Sequence, residues 1–397
     1  MVTENDVKDI YLQKVDLLLS GLRITQKFLD TIKQYSDVEW QRGRKGGAGP
    51  AGGRYFLFKN GSVVNAGLWG SQSEQSHLLL EDVRGYSTIN PSNLIVTVRN
   101  SKINQIFEVE LIPTPEKYNS GENLSGTVNK QIALVHGTTC LASTIVQKCR
   151  YWGEKKACAF CGIEFSLDDK TTIEKKSSEQ LLHAISGATA QGLCDHMTLT
   201  MGTLSLEDKG AEKYIEIVLS IKKQYPNLPI HIQIEPFEDI SKLMELKKAG
   251  VDTIGIHLEI PNDLLREKNC PGKFETPRSA YEEFWKKSVD IFGRTQVSTF
   301  ILVGFGEPLE ELIEYCDKLI EIGVVPNVMP VRHIVGTNLD YHPISYDDLV
   351  LLYDSIAFSF LKHNMDPRTN KAGCIRCMGC SAIIDAFDYH KNAHHNN

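Results

Sequence analysis

Apolar and polar positions repeat from residue 132 to 365 in a fixed order of apolar run, loop and amphipathic segment. The apolar runs predict strands, and they read CLASTIVQ, HMTLTMG, PIHIQIEP, TIGIHLEI, QVSTFILVG and VPNVMPVR. The segments between them carry apolar residues at helical spacing, as in residues 177–192 and 210–226. Apolar strands that alternate with helices predict βαβ units and a parallel sheet. Six such units make either a curved partial barrel or a doubly wound sheet.

The residues before this series follow a different pattern. Residues 1–35 have apolar positions at helical spacing, and Asn60-Gly61 lies between two apolar stretches, which indicates a hairpin. NLIVTVRN and QIFEVELI predict two more strands. We therefore predict an α/β protein with three parts, namely a small α+β region over 1–130, a core of six βα units over 131–365 and a cysteine-rich extension over 366–397.

The composition and charge of the chain exclude some classes of function and indicate a cellular compartment. The 397 residues carry a formal net charge of -7, which gives no electrostatic footprint for nucleic acid. No apolar run approaches the ~18 residues of a membrane span, and the first residues lack the pattern of a secretory signal. We therefore expect the ten cysteines in a reducing cytoplasm, where close spacing favours metal ligation or catalysis over disulfides.

Three of the cysteines, Cys149, Cys158 and Cys161, follow the first strand of the series. Reactive groups of parallel β/α folds gather at the C-terminal ends of the strands. A zinc site usually takes four nitrogen or sulfur ligands, and no histidine lies nearby in the sequence. Three thiolates on a four-iron cluster leave one iron open to a substrate or cofactor. The pattern favours an open-site iron–sulfur cluster, and a zinc loop completed by a distant residue is the alternative.

A three-cysteine loop after the first strand of a (βα)6 half-barrel resembles the radical S-adenosylmethionine (SAM) enzymes. This chain departs from their usual CxxxCxxC spacing, with eight residues and then two between its cysteines. The resemblance implies a partial TIM barrel, a [4Fe-4S] cluster on the three cysteines and SAM bound at the open iron. It also implies reductive cleavage of SAM to a 5'-deoxyadenosyl radical, which takes a hydrogen atom from a small-molecule substrate. The electron donor that it implies is a flavodoxin or a ferredoxin.

Further segments resemble the SAM-binding motifs of this superfamily and of biotin synthase. An aromatic residue precedes the third cysteine, the TMGT turn follows the second strand, and GIHLEIP and FILVGFGE end the fourth and fifth strands. An arginine in TPRSAYEEF matches one that meets the methionyl carboxylate. A glutamate ends the third strand, where substrate contact and strand capping are both open. The cofactor-binding residues predicted in this way are Phe160, Thr200, Met201, Gly202, Thr203, Glu235, His257, Glu259, Arg278, Gly304 and Glu307.

A second cysteine group lies near the end of the chain, where Cys374, Cys377 and Cys380 have C-x2-C-x2-C spacing. This spacing begins a ferredoxin-type run whose fourth cysteine is missing, and Cys270 or Cys140 could supply it. The functional interpretation is a second iron–sulfur cluster that reaches the barrel mouth and holds substrate, relays an electron or donates sulfur. The alternative is a structural metal clip that fastens the tail.

Three segments also resemble an uncharacterised radical SAM branch encoded beside nitrilase genes in some bacteria. They are GGAGP, ALVHG and the cysteine-rich C-terminal segment. The glycine-rich run that contains GGAGP, with basic flanks, is either an anion cradle or a loop. Three functions remain open: a hydrogen-abstracting radical SAM enzyme, a sulfur-inserting enzyme similar to biotin synthase, and a non-catalytic iron–sulfur electron carrier.

Overall fold

Two β-sheets organise the chain in the computed structural model, which describes residues 4–35, 44–49, 52–68, 71–123 and 125–395. The strands are β1 (Arg23–Ile24), β2 (Gly53–Leu57), β3 (Val63–Gly67), β4 (Leu78–Tyr86), β5 (Leu94–Asn100), β6 (Gln105–Leu111), β7 (Leu134–His136), β8 (Cys140–Thr144), β9 (His196–Thr200), β10 (Ile230–Ile234), β11 (Thr253–Ile256), β12 (Val297–Val303) and β13 (Val324–Pro330).

The helices lie between these strands and after them. They are α1 (Glu4–Ser20), α2 (Gln26–Ile32), α3 (Ser71–Glu74), α4 (Glu116–Asn119), α5 (Asn129–Ile132), α6 (Arg150–Gly153), α7 (Phe165–Asp168), α8 (Ser178–Thr189), α9 (Ala211–Gln224), α10 (Ser241–Ala249), α11 (Asp263–Asn269), α12 (Pro271–Phe274), α13 (Arg278–Phe292), α14 (Leu309–Glu321), α15 (Tyr346–Lys362), α16 (Cys374–Cys377) and α17 (Ile383–His395), with a 3-10 turn at Pro367–Thr369. Within the described part of the chain, none of these helices has the length and apolarity needed to cross a bilayer.

The first sheet is formed by the N-terminal part of the chain, with strand order β1-β4-β5-β6-β2-β3. The predicted Asn60-Gly61 hairpin is present as β2 and β3, and Gly61 has a φ of 87° at the turn. The predicted strands β5 and β6 are also present, whereas β4 had no sequence signal that we recognised. The prediction of a helix over 1–35 is wrong in its middle, because Gly21 adopts a φ of 64° and the chain continues as β1.

The second sheet has the consecutive order β13-β12-β11-β10-β9-β8-β7, and β8 to β13 are parallel. All six predicted strands are therefore present, and an unpredicted β7 adds an antiparallel edge. A doubly wound sheet reverses its strand order at a switch point, and this order never reverses. The fold is the partial barrel of six βα units.

Side-chain alternation along the strands separates an apolar outer face from an inner face, as β10 shows. Along β10, Ile230, Ile232 and Ile234 join the main hydrophobic core, which includes the surrounding helices. The intervening His231 and Gln233 are outside that core and face the other side of the strand. At β10 the interior of the half-barrel is therefore lined by polar side chains.

The C-terminal tail crosses the N-terminal ends of the barrel strands. The Gly373 N–H donates to Nδ1 of His196 at 3.2 Å, where β9 begins. The Thr253 hydroxyl, at the start of β11, donates to the Ala372 carbonyl at 3.1 Å. Helix α17 then packs against α1 and α15. The prediction that the tail reaches the barrel mouth is therefore wrong, because the tail lies at the opposite end.

Candidate active site

The loop that leaves β8 brings Cys149, Cys158 and Cys161 together at the C-terminal end of the strands. Burial, together with the neighbouring thiols of Cys158 and Cys149, raises the pKa of Cys161 to about 12. Backbone bonds hold this loop against the chain that follows β9: the Arg150 N–H donates to the Thr203 carbonyl at 2.8 Å. The three predicted thiols thus share one site, where the fold is expected to place reactive groups.

The TMGT turn after β9 presses directly against this loop. A Cβ at Gly202 would overlap the Lys148 carbonyl oxygen and would lie 2.8 Å from Cα of Cys149. Only glycine fits this approach without moving the first cysteine. Thr200 contributes through its carbonyl, which accepts from the Ile145 N–H at 2.8 Å, while Met201 packs toward Gly210 at the start of α9. The turn therefore contacts the site mainly through its glycine and through Thr203.

Glu235 lies beyond the end of β10 in a buried polar network. Its carboxylate accepts from the Thr203 hydroxyl and, at 3.1 Å, from the Tyr151 hydroxyl. Tyr151 in turn accepts from Nζ of Lys209 at 3.0 Å, and Lys209 lies 3.9 Å from the Glu235 carboxylate. The network joins the cysteine loop to the ends of β9 and β10. Tyr151 and Lys209 were not predicted from the sequence.

Glu259 and His257 form the neighbouring part of the site after β11. Nζ of Lys273 donates to the Glu259 carboxylate at 2.8 Å and to the His257 carbonyl at 3.4 Å. The His257 ring stacks on Phe300 with centroids 3.6 Å apart, and its Nδ1 accepts from the Phe300 N–H at 3.0 Å. Burial lowers the pKa of His257 well below its usual value, so the ring is neutral. Its buried Nε2 has no hydrogen-bond partner among the described residues.

Cys270 lies on the same side of the barrel, with its thiol beside that of Cys158. The suggestion that Cys270 completes the tail site is therefore wrong, because the tail crosses the opposite end. Lys273 reaches the site from the same short segment, NCPGK, and was missed. The sequence signal for Lys273 was its position in the loop region after a barrel strand.

An apolar patch adjoins the cysteine loop on the side of β12 and β13. The Phe160 ring lies 5.8 Å from that of Phe305, and both belong to a small apolar cluster. Gly304 has a φ of 123°, and a Cβ there would lie 2.9 Å from Val331. The Glu307 carboxylate accepts from the N–H groups of Gly304 and Phe305 at 2.8 Å each. Glu307 thus shapes its own loop.

Arg278 lies apart from these groups, at the start of α13. Its guanidinium donates to the Pro261 carbonyl at 2.9 Å, pairs with Asp263 at 3.6 Å and lies over the Tyr315 ring. Its side chain is 36% exposed. The contacts found among the described residues do not connect it to Glu259 or Lys273. A role for Arg278 in SAM binding stays a prediction from the resemblance.

Residues 44–49 of the glycine-rich run pack against the cysteine loop from behind. A Cβ at Gly46 would overlap the Gly162 carbonyl group and lie 2.5 Å from the Ile163 nitrogen. Nε2 of Gln147 donates to the carbonyls of both Gly46, at 3.2 Å, and Ile163, at 2.8 Å. This part of the run is therefore a packed support for the loop. The flanking Arg42, Pro50 and Ala51 lie outside the described residues.

The tail cysteines Cys374, Cys377 and Cys380 also lie close together, but at the N-terminal ends of the strands. Among the described residues, no three His, Cys, Asp or Glu side chains converge as ligands of a single metal ion would. A four-iron cluster makes a different demand, because each thiolate ligates its own iron atom. Three thiols in one loop, packed against glycines on both sides, fit such a cluster at the C-terminal end.

Part of the chain is similar to known protein families. Residues 153–319 match the family model described as the radical SAM superfamily, a range that contains Cys158 and Cys161 and begins just after Cys149. The chain is 24% identical over 228 residues to a bacteriochlorophyllide c C-7(1)-hydroxylase of Chlorobaculum limnaeum, covering 52% of this chain and 56% of that protein. It is 22% identical over 200 residues to a lipoyl synthase of Oceanobacillus iheyensis, covering 49% and 61%.

A third relative is an uncharacterized protein of Methanocaldococcus jannaschii, 32% identical over 128 residues, which are 32% of each chain. Among solved structures, the hydrogenase maturase HydG aligns with a TM-score of 0.46 and 15% identity, over 64% of this chain and 58% of that one. The chain thus spans between about a third and three fifths of the length of these three curated relatives.

Proposed function

Because the chain belongs to the radical SAM superfamily and is an enzyme of that family, we propose that it cleaves SAM reductively at a [4Fe-4S] cluster. Cys149, Cys158 and Cys161 would hold the cluster and leave one iron open to SAM. When bound, the reduced cluster would supply the electron that converts SAM to methionine and a 5'-deoxyadenosyl radical, which abstracts hydrogen from a small-molecule substrate. The proposal depends on one observation: these three thiols lie together, beside the residues that follow strands β9 to β12.

The residues around the loop are suited to bind SAM. The Glu259 carboxylate, fixed by Lys273 at 2.8 Å, would accept hydrogen bonds from the ribose hydroxyls, with His257 beside it. The apolar patch of Phe160 and Phe305 would take the adenine ring, because a flat aromatic group gains from contact with aromatic side chains. The close approach at Gly202 would bring backbone groups of the TMGT turn to the methionyl end.

The buried network around Glu235 would hold the substrate side of the site. Its carboxylate is already oriented by the Tyr151 hydroxyl at 3.1 Å and by Thr203. Fixed buried donors and acceptors can orient a substrate without further reorganisation. Such a site would also exclude water from a reactive radical, since Glu235, Lys209 and Thr203 are all buried.

We further propose that the tail holds a second iron–sulfur cluster on Cys374, Cys377 and Cys380. Sulfur insertion, as in an enzyme similar to biotin synthase, remains a second candidate, and loss of cluster sulfide during turnover would identify it. A non-catalytic electron carrier is disfavoured, because such a protein has no need of the Glu259–Lys273 pair at the strand ends. The proposed setting is the cytoplasm, with flavodoxin or ferredoxin as donor.

The test is anaerobic reconstitution with iron, sulfide, SAM and a strong reductant, followed by chromatography for 5'-deoxyadenosine. We expect the wild type to produce 5'-deoxyadenosine and the Cys149→Ala/Cys158→Ala/Cys161→Ala variant to produce none. Cys316→Ala, at a buried cysteine of α14, is the matched control and should retain SAM cleavage. Cleavage by the triple variant would overturn the assignment of the cluster to this loop.

A further inference from the structure

Four cysteines meet at the N-terminal end of the half-barrel, although one of them is more than two hundred residues from the other three. Cys140 is the first residue of β8, and its thiol lies beside that of Cys377. The Cys374 thiol lies near both Cys377 and Cys380. We propose that Cys140 is the fourth ligand of the tail cluster and closes its ligand set. This inference rests on the proposed second cluster.

Two glycines lie beside one of these thiols. Gly137 has a φ of 58°, and a Cβ there would lie 3.6 Å from Sγ of Cys377. A Cβ at Gly379 would also lie 3.6 Å from the same sulfur. Two glycines on two different segments thus border one thiol. A larger side chain at either position would occupy the space beside it.

Polar groups of the barrel interior face the same cysteines. The Cys140 thiol is 3.5 Å from the Thr198 hydroxyl, and Nε2 of Gln233 donates to Sγ of Cys374 at 3.7 Å. Hydrogen bonds to cluster sulfurs are one of the means by which proteins set reduction potentials. The site is therefore built from side chains of β8, β9 and β10 as well as from the tail.

Two buried cations, Arg332 and Lys14, lie near Cys380. Each of them is near enough for its charge to act on the Cys380 thiol. Lys14 is fully buried, and Arg332 donates to Asn65 of β3. A buried negative cluster is costly without compensating charge. Arg332, which follows β13, is placed to supply it, whereas the charge of Lys14 is already balanced by Asp385 at 2.6 Å.

A cluster held by four thiolates has a different role from a cluster held by three. An iron with all its positions filled by protein cannot bind SAM or substrate, so the closed cluster transfers electrons. Strand β8 carries Cys140 at its start and the Cys149 loop after its end, and its five residues span about 17 Å. The closed cluster therefore lies at the other end of the same strand from the radical-generating loop.

The experiment uses the full chain with Cys149, Cys158 and Cys161 changed to Ala, so that any remaining iron belongs to the tail site. After anaerobic reconstitution we expect about four iron atoms per chain and the spectrum of a [4Fe-4S] cluster. Adding Cys140→Ala should remove at least one iron and leave a three-iron electron paramagnetic resonance signal or no cluster. Adding Cys316→Ala, which is equally buried, should change neither measurement.

Cys140→Ser keeps the size of the side chain and guards against a folding defect in Cys140→Ala. We expect it to retain part of the iron with a shifted reduction potential, since oxygen replaces sulfur at one iron. An unchanged iron content and potential in both Cys140 variants would overturn the inference, as would zinc in place of iron. If the triple-variant background binds no metal at all, the second cluster itself is wrong, while SAM cleavage by the wild type still tests the first.

Discussion

Glu259 adopts a backbone conformation that glutamate rarely occupies, with a φ of 71°. The strand beside it enforces this conformation, because the Glu259 N–H donates to the Phe300 carbonyl at 3.1 Å and its own carbonyl accepts from Leu302 at 2.8 Å. Residues held in such sparsely populated regions cluster at active sites and ligand clamps. The local strain directs the carboxylate toward Lys273 at the mouth of the barrel.

We predict that Glu259→Gln weakens SAM binding and leaves the cluster in place. A hydrogen bond to a charged group contributes about 1.5–3 kcal/mol, so SAM affinity should fall roughly ten- to hundredfold. Titration calorimetry on reconstituted protein measures the affinity, and iron analysis measures the cluster. The control is Glu275→Gln, which breaks the exposed Lys156–Glu275 pair and should change neither. Equal affinity in the two variants would show that the ribose site is placed wrongly.

Lys176 is a second residue whose environment predicts a measurable effect, namely a change of stability with pH. It is 2% exposed, and burial lowers its pKa to about 7, with the Arg44 charge adding to the shift. The unfolded chain therefore binds more protons than the folded chain between about pH 7 and the usual lysine pKa, so this group makes stability rise with pH.

The measurement compares wild type with Lys176→Met from pH 7 to pH 9. Between pH 7 and pH 9, the free energy of unfolding of the wild type should rise by about 2 kcal/mol relative to that of the variant. Urea unfolding at each pH gives the free energy of unfolding. Lys175→Met, at the exposed neighbouring position, should show the same pH dependence of the free energy of unfolding as wild type. If Lys176→Met also shows the pH dependence of wild type, the lowered pKa of Lys176 is contradicted.

Among the secondary-structure elements, the strands were predictable because their signal is local. Each of β8 to β13 is an apolar run with turn residues after it, and each carries its own evidence of burial. Strand β4 was missed, since its LLLEDVRGY has no clean alternation and its pairing with β5 is irregular at two places. The break after α1 was missed because a single Gly21 decides it, and helical periodicity resumes in α2.

The glycine-rich run offers a test of how one element supports another. Gly46→Ala places a Cβ in the space of the Gly162 carbonyl, so we expect the cysteine loop to shift and cluster loading to fall. Gly153→Ala is the matched control, because a Cβ there meets nothing within 4 Å and the residue ends helix α6. Iron content after reconstitution is the readout. Similar loading in the two alanine variants would show that the run does not support the loop.

Across the whole molecule, the contacts that sequence could not predict are those between distant segments. The cysteine loop was placed correctly because it follows a strand whose direction is known from the pattern. The tail was placed at the wrong end, because nothing local indicates that residues 369–373 bond to the starts of β9, β11 and β12. Lys273 and Lys209 were missed for the same reason, since a single lysine after a barrel strand has no periodic signal.

One buried ion pair joins the two ends of the chain. Nζ of Lys14 in α1 lies 2.6 Å from the Asp385 carboxylate in α17, with side chains 0% and 5% exposed. Lys14 also donates to the Ser62 hydroxyl at 3.1 Å, so the pair connects the N-terminal region, the hairpin and the tail. Removing one partner of a buried pair leaves an uncompensated charge, whereas replacing both by apolar groups is often neutral.

We therefore predict that Lys14→Met lowers the free energy of unfolding by about 3–5 kcal/mol, and that Lys14→Met/Asp385→Leu recovers most of the loss. Urea unfolding of metal-free protein separates this effect from loss of the tail cluster. The control is Lys213→Met, which breaks an exposed pair with Glu216 and should cost less than about 1 kcal/mol. If the single and double variants are equally unstable, the loss comes from packing, and the tail is held by its apolar contacts with α1 and α15 instead.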